Sequence, residues 1–399
     1  MPPTEGQGPP ASARHGASLD PDFLHEEAAR LTGLDDFGAD LSYVTPLRVF
    51  LSSIEQADRG PTYEQAGHDK VLHVLTTRLH FVAHAKEHPD VLDGRVERPV
   101  ILIGLPRTGT TILYDLLALD PASRSPYEWE VQVPWPPPER ATFADDARIA
   151  MVQEGLEAFF AAEPTFLSMH AMGASYPAEC NTIMEYHFAG PDFWSSFGVP
   201  EYTHWVATER AVGMYDTHRR FLQHLQWHGP QGRWTLKSPG HLLDLEGLLD
   251  TYPDACLVWT HRDPTMIMAS LSSLITPGRR YAGGETDPTA IGASTVHLWT
   301  NTMSRGVTSR ERDLRVEQAV IDIAFRDFVA DQIGTVERIH QHFGLPTSEE
   351  HVRRMEEFLR THQRGAHGGH DYSLEYFGLD EGEVRSQFAA YTDRFAAFL

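Results

Sequence analysis

Apolar positions in this chain follow two different periods. From residue 21 to about residue 93 they recur at three- and four-residue steps, as at Leu72, Leu75, Leu79 and Val82, which predicts a run of amphipathic helices. Residues 98–104 (Arg-Pro-Val-Ile-Leu-Ile-Gly) then give a short unbroken apolar run, the pattern of a strand buried on both faces of a parallel sheet. Three similar runs, at residues 233–237, 255–260 and 319–325, are each followed by a helical pattern. Strands alternating with helices predict an α/β fold, an open parallel sheet flanked by helices and preceded by a helical preface.

The stretch 134–226 reads as a helical insertion that is unusually aromatic, with Phe159, Phe160, Phe166, Phe193, Trp194, Phe197, Tyr202 and Trp205. These rings either line an acceptor pocket or pack the insertion onto the sheet. No internal repeat or long linker interrupts the pattern. The expected organisation is a disordered tail (1–18), a helical N-terminal extension (19–95) and one α/β domain (96–399), which ends in a C-terminal segment (346–399).

Composition narrows the partners. The 399 residues carry a formal net charge of −23, which repels nucleic acids and other polyanions, so any bound anion needs a focused site. Two cysteines, Cys180 and Cys256, cannot build a disulfide framework, and neither stands in a spacing typical of zinc. No metal is expected. The start of the chain lacks the apolar core of a signal peptide and no later stretch reaches membrane-spanning length, so the reading is a cytoplasmic protein without membrane insertion. His80, His84 and His88 share one helix face at four-residue steps, with His73 nearby; solvated surface histidines are the expectation for them.

The strongest motif lies between the first predicted strand and its helix. Residues 104–111 (Gly-Leu-Pro-Arg-Thr-Gly-Thr-Thr) have the GxxxxG spacing of a P-loop, which makes the fold class a P-loop-type sheet. Glycines let the backbone wrap, consecutive amides point inward, and the helix N-terminus adds partial positive charge for a phosphate. The lysine that nucleotide triphosphatases place after the second glycine is Thr110 here, and Arg107 is the loop's only cation. That departure speaks against magnesium-dependent phosphoryl transfer.

A second anion-binding pattern follows the strand at 255–260. In His261-Arg262-Asp263-Pro264, Asp263 is suited to cap a helix and Pro264 to its first turn, which puts Arg262 at the strand-to-helix corner and Ser270 about two turns on. The His-Arg-Asp triplet lacks the downstream Asn and upstream glycine loop of a protein kinase.

Together these residues resemble the sulfotransferase superfamily that uses 3′-phosphoadenosine 5′-phosphosulfate (PAPS), its bacterial branch in particular and, more distantly, the tyrosylprotein sulfotransferases. The likeness is carried by residues 98–111, by Trp129-Glu130 with the prolines at 134 and 136–138, by residues 236–241 (Leu-Lys-Ser-Pro-Gly-His), and by residues 260–264 with Ser270. Phe325-Arg-Asp-Phe328 and residues 370–374 extend it. The resemblance implies that Pro106, Arg107, Thr108, Gly109, Thr110 and Thr111 hold the 5′-phosphosulfate and that Arg262 and Ser270 hold the 3′-phosphate. Arg364, in a glycine-rich segment, is a weaker candidate for closing over that phosphate.

In-line sulfuryl transfer to a hydroxyl needs a base for the acceptor's proton and cations for the departing phosphate. The Trp-Glu pair makes Glu130 the first choice of base. Glu128 is the reserve; counted from Arg107, it falls where tyrosylprotein sulfotransferases carry their catalytic Glu. The family motif assigns Lys237 to the leaving group. His170 and Glu179 are candidates for lining the acceptor site. The expected acceptor is a small, neutral or apolar hydroxylated molecule. A small-metabolite kinase and a non-catalytic nucleotide-binding protein are the alternative readings.

Overall fold

The structure, a computed structural model, describes residues 17–361 and 373–399. Five parallel strands, β1 (Val100–Gly104), β2 (Ser123–Arg124), β3 (Arg233–Lys237), β4 (Cys256–His261) and β5 (Val320–Ala324), form one sheet in the order β2-β3-β1-β4-β5. The four apolar runs are its four longer strands. The two-residue edge strand β2 has no sequence signal of its own.

Side-chain alternation divides the core. Ile101, Ile103, Leu236, Leu257 and Trp259 face one side of the sheet, and Val100, Leu102, Cys256, Val258 and Ile323 face the other. Helices cover both faces, so strands that pair in register from Val100↔Cys256 to Gly104↔Thr260 can be apolar throughout. Each fully buried aliphatic side chain of this kind contributes about 1.5–3 kcal/mol.

The predicted preface consists of helices Pro21–Thr32, Val44–Ala57 and Pro61–Glu87. Leu24, Phe50, Val71 and Leu75 from these helices share a core with Leu236 and Trp259 of the sheet. The histidine ladder of the last helix departs from expectation. His84 is buried, with its Nδ1 3.0 Å from Nδ1 of His224, and His80 stacks on Trp135 at 5.0 Å. The rings of Trp135 and Trp227 cover much of the face at positions 80, 84 and 88, which leaves His84 buried and His80 and His88 half-buried.

The insertion's aromatic residues divide into two groups. Phe193, Phe197 and Tyr202 pack edge-on or tilted around Phe50 at 4.4–5.5 Å and belong to the core. Phe159, Phe160 and Phe166 form a separate cluster that Tyr281 joins. Among the described residues, no helix is long and apolar enough to cross a membrane. Arg364 and residues 370–372 of the C-terminal segment lie outside the described residues.

Candidate active site at the carboxyl edge of the sheet

In this strand order the connections from β1 lead first to one side, and the chain then crosses to the other to enter β4. The crevice above the carboxyl ends of β1, β3 and β4 is where open α/β sheets bind ligands.

The loop after β1 is shaped by three backbone constraints. Gly104 has φ 126°, and a Cβ there would lie 2.6 Å from the carbonyl of Thr260, so the loop leaves β1 in close contact with β4. Arg107 holds a left-handed conformation at φ 68°, uncommon for a residue with a side chain and typical of positions kept for a purpose. Gly109 (φ 86°) begins helix Thr110–Ala118 without a side-chain cap, which leaves the first-turn amides to a ligand or solvent. A Cβ on Gly109 would meet the rings of Phe325 and Phe328 at 3.1 Å. The hydroxyl of Thr108 is fully buried, donating to the carbonyl of Leu105 and sharing a 2.6 Å hydrogen bond with Thr260. That side chain braces the loop, and only its backbone is free for an anion.

The second segment folds as its motif predicts. Asp263 caps the turn Pro264–Met266 by accepting from the Thr265 amide, and Ser270 lies in the helix Met268–Tyr281 that follows. The two candidate anion-binding segments are brought into direct contact. Arg107 donates from Nε to Oγ of Ser270 at 3.1 Å, and Arg262 donates to the carbonyl of Arg107 at 2.9 Å. Phe325 lies under the Arg262 guanidinium at 4.3 Å, which joins the Phe-Arg-Asp-Phe segment to the same crevice.

Lys237 ends β3 with its Nζ 3.4 Å from Thr111 Oγ1 and ion-paired to Glu179. His170 stands beside this pair. Burial, then the positive charges of Lys237 and Arg107, hold its imidazole at about 4, so it is neutral at physiological pH. Its neighbour Met169 accepts a hydrogen bond from Arg107 at its carbonyl, and Phe166 approaches the His170 ring at 5.9 Å.

Burial raises the carboxyl groups of both glutamates of helix Glu128–Gln132, but their hydrogen bonds differ. Glu130 is fully buried; Arg124 donates to one carboxylate oxygen at 2.7 Å, and the Tyr127 amide donates to the other at 2.9 Å. Both oxygens serve the scaffold. Among the described residues Glu128 accepts only from Gln132, at 2.8 Å, and burial, with the carboxylates of Glu179 and Glu185 nearby, pushes it up to about 7. The carboxyl group of Glu128 therefore lacks the two-oxygen anchoring that holds Glu130. Lys70 of the preface, which no sequence signal marked, pairs with Glu185 at 2.5 Å and adds a positive charge beside this group.

Comparison with known proteins places this arrangement in a family. The sulfotransferase family profile matches residues 99–349. The omega-hydroxy-beta-dihydromenaquinone-9 sulfotransferases Stf3 of Mycobacterium bovis and Mycobacterium tuberculosis are each 24% identical over 272 residues, covering 66% of this chain and 67% of theirs. The crystal structure of sulfotransferase STF1 from Mycobacterium tuberculosis superposes with a TM-score of 0.81 at 31% identity, covering 94% of this chain and all of that one. STF9 from Mycobacterium avium gives 0.82 at 28% identity, covering 96% of this chain and 98% of its own. With a P-loop-type parallel sheet, a profile match over most of its length and two full-length structural counterparts, the chain belongs to the sulfotransferase family and is an enzyme of sulfuryl transfer.

Proposed function

We propose that the sulfuryl donor is PAPS and that the acceptor is a hydroxyl of a small, neutral or apolar molecule. The observation that carries this reading is the continuity of Arg107, Ser270 and Arg262: two anion-binding segments meet on one face, as a nucleotide phosphorylated at both ends requires. The amides of residues 107–111 with Arg107, Thr110 and Thr111 would hold the 5′ end, and Arg262 and Ser270 the 3′-phosphate. When bound, the donor supplies an activated sulfuryl group on a phosphate leaving group. Lys237, beside Thr111, offers positive charge where that phosphate gains negative charge.

Glu128 is the proposed base. A carboxyl group held near 7 accepts a proton at physiological pH better than an ordinary one. His170 and Glu179, next to Lys237, would meet the acceptor. An apolar alcohol fits the Phe159, Phe160 and Phe166 cluster behind His170 and the chain's negative charge, and the Stf3 relatives are named for an omega-hydroxylated dihydromenaquinone. The location proposed is cytoplasmic, where the two thiols stay reduced.

Calorimetric titration with 3′-phosphoadenosine 5′-phosphate, ADP and ATP tests the donor. Clear preference for the first is expected; equal or stronger binding of ATP overturns the reading.

A further inference from the structure

Three side chains far apart in sequence meet beneath the crevice. Cys180 starts helix Cys180–Glu185, His218 lies in Met214–Gln226, and His241 lies in the turn Pro239–Leu243. All three are fully buried, and one potential ligand atom from each lies within 4.8 Å of the others. The two imidazoles are held alike. Nδ1 of His218 is 2.8 Å from the Tyr252 hydroxyl, and Nδ1 of His241 is 3.0 Å from that of Tyr215. Among the described residues, neither Nε2 has a hydrogen-bond partner. Buried polar atoms are almost always paired, so two orphaned ring nitrogens on residues that gather with a thiol call for a ligand.

We propose that Cys180, His218 and His241 bind a zinc-type divalent cation. Thiolate and imidazole are the donors such an ion prefers, and an imidazole fixed through Nδ1 by a second residue is the usual outer-shell arrangement. Ligands about 2.0–2.3 Å from a common ion stand about 3.3–3.8 Å apart, so atoms within 4.8 Å of one another close by at most about 1.5 Å. Binding forms the metal–sulfur bond and releases the thiol proton to solvent, and three protein ligands leave a fourth position to water. The second His-containing cluster, Asp120 with His340 and His351, is a poorer host: Asp120 is paired with Arg233 at 3.0 Å and His351 Nε2 bonds the Leu116 carbonyl.

The placement suggests a purpose. Glu179 directly precedes Cys180, and Lys237 ends the strand that leads into the His241 turn. One ion would fasten the two segments whose side chains form the Glu179–Lys237 pair.

The test uses full-length protein stripped with a chelator and titrated with Co²⁺. A thiolate-to-cobalt charge-transfer band that saturates at a single equivalent and is abolished by Zn²⁺ is expected. It should persist in Cys256→Ala and vanish in Cys180→Ala, and Tyr215→Phe should weaken affinity about 10–100-fold. Should Cys180→Ala not fold, the wild-type band and Tyr215→Phe decide. No thiolate band in the wild type, cobalt binding without one, a band that survives in Cys180→Ala, or unchanged affinity in Tyr215→Phe overturns the proposal.

Discussion

Arg107 reaches across the crevice to donate a hydrogen bond from Nε to Oγ of Ser270 at 3.1 Å, so the P-loop and the helix after β4 form one continuous surface. If that surface holds a nucleotide by both ends, its halves are separable by mutation. Arg262→Ala removes a charge-assisted contact worth about 1.5–3 kcal/mol. Affinity for 3′-phosphoadenosine 5′-phosphate should drop about tenfold to a hundredfold, while affinity for adenosine 5′-phosphosulfate, which lacks the 3′-phosphate, changes little. Calorimetry with both ligands checks this, and equal losses for the two would remove Arg262 from the 3′-phosphate.

The contrast between Glu128 and Glu130 gives opposite phenotypes. Glu128→Gln should lower kcat by about 10²–10⁴-fold with stability retained or raised. Glu130→Gln leaves Arg124 buried without its counter-charge, and loss of one partner of a buried pair costs about 3–5 kcal/mol. Urea unfolding beside single-turnover kinetics separates the two, and a stable but inactive Glu130→Gln would restore Glu130 as the base.

Activity should follow the ionisation of Glu128. With its carboxyl held at about 7, kcat/KM should rise with pH through that value and level off above it. Stability runs the other way: the folded state keeps a proton that the unfolded chain loses near 4.5, so stability is fully present below about 4.5 and falls as pH rises to about 7, by about 3 kcal/mol in all. Glu128→Gln should flatten that decline. An unchanged slope in the variant would show that Glu128 does not titrate in this range.

The His84–His224 contact predicts a loss of stability in acid. Two Nδ1 atoms 3.0 Å apart share one proton, and a second would set two N–H groups against each other. Burial holds His224 at about 3, whereas an unfolded histidine protonates near 6.5. Stability should therefore fall as pH drops from about 6.5 towards 3. His224→Gln should make this acid limb shallower by about 1.4 kcal/mol per pH unit. Denaturation midpoints measured from neutral pH to pH 4 test it, with parallel curves as the contrary result.

The sheet was legible because its strands are buried on both faces: an unbroken run such as Val100–Gly104 has no amphipathic alternative. The loop after β1 and the capped turn after β4 were legible in shape because local spacing fixes them. Which of Glu128 and Glu130 is anchored by Arg124 was not, since a five-residue helix gives no period from which to read it. His84 misled for a related reason. The four-residue step defines a helix face, but only the packing of Trp135 and Trp227 decides whether that face is wet. Lys70, and the meeting of Cys180 with His218 and His241, depend on tertiary packing that no short window contains.

The Lys70–Glu185 pair ties the preface helices electrostatically to the α/β portion. A chain trimmed to its α/β portion would keep a nearly inaccessible carboxylate two turns from Glu179 while losing the ammonium that balances it. Engineers seeking a minimal transferase, or a chimera with a foreign leader, must therefore carry helix Pro61–Glu87 along as part of the electrostatic unit.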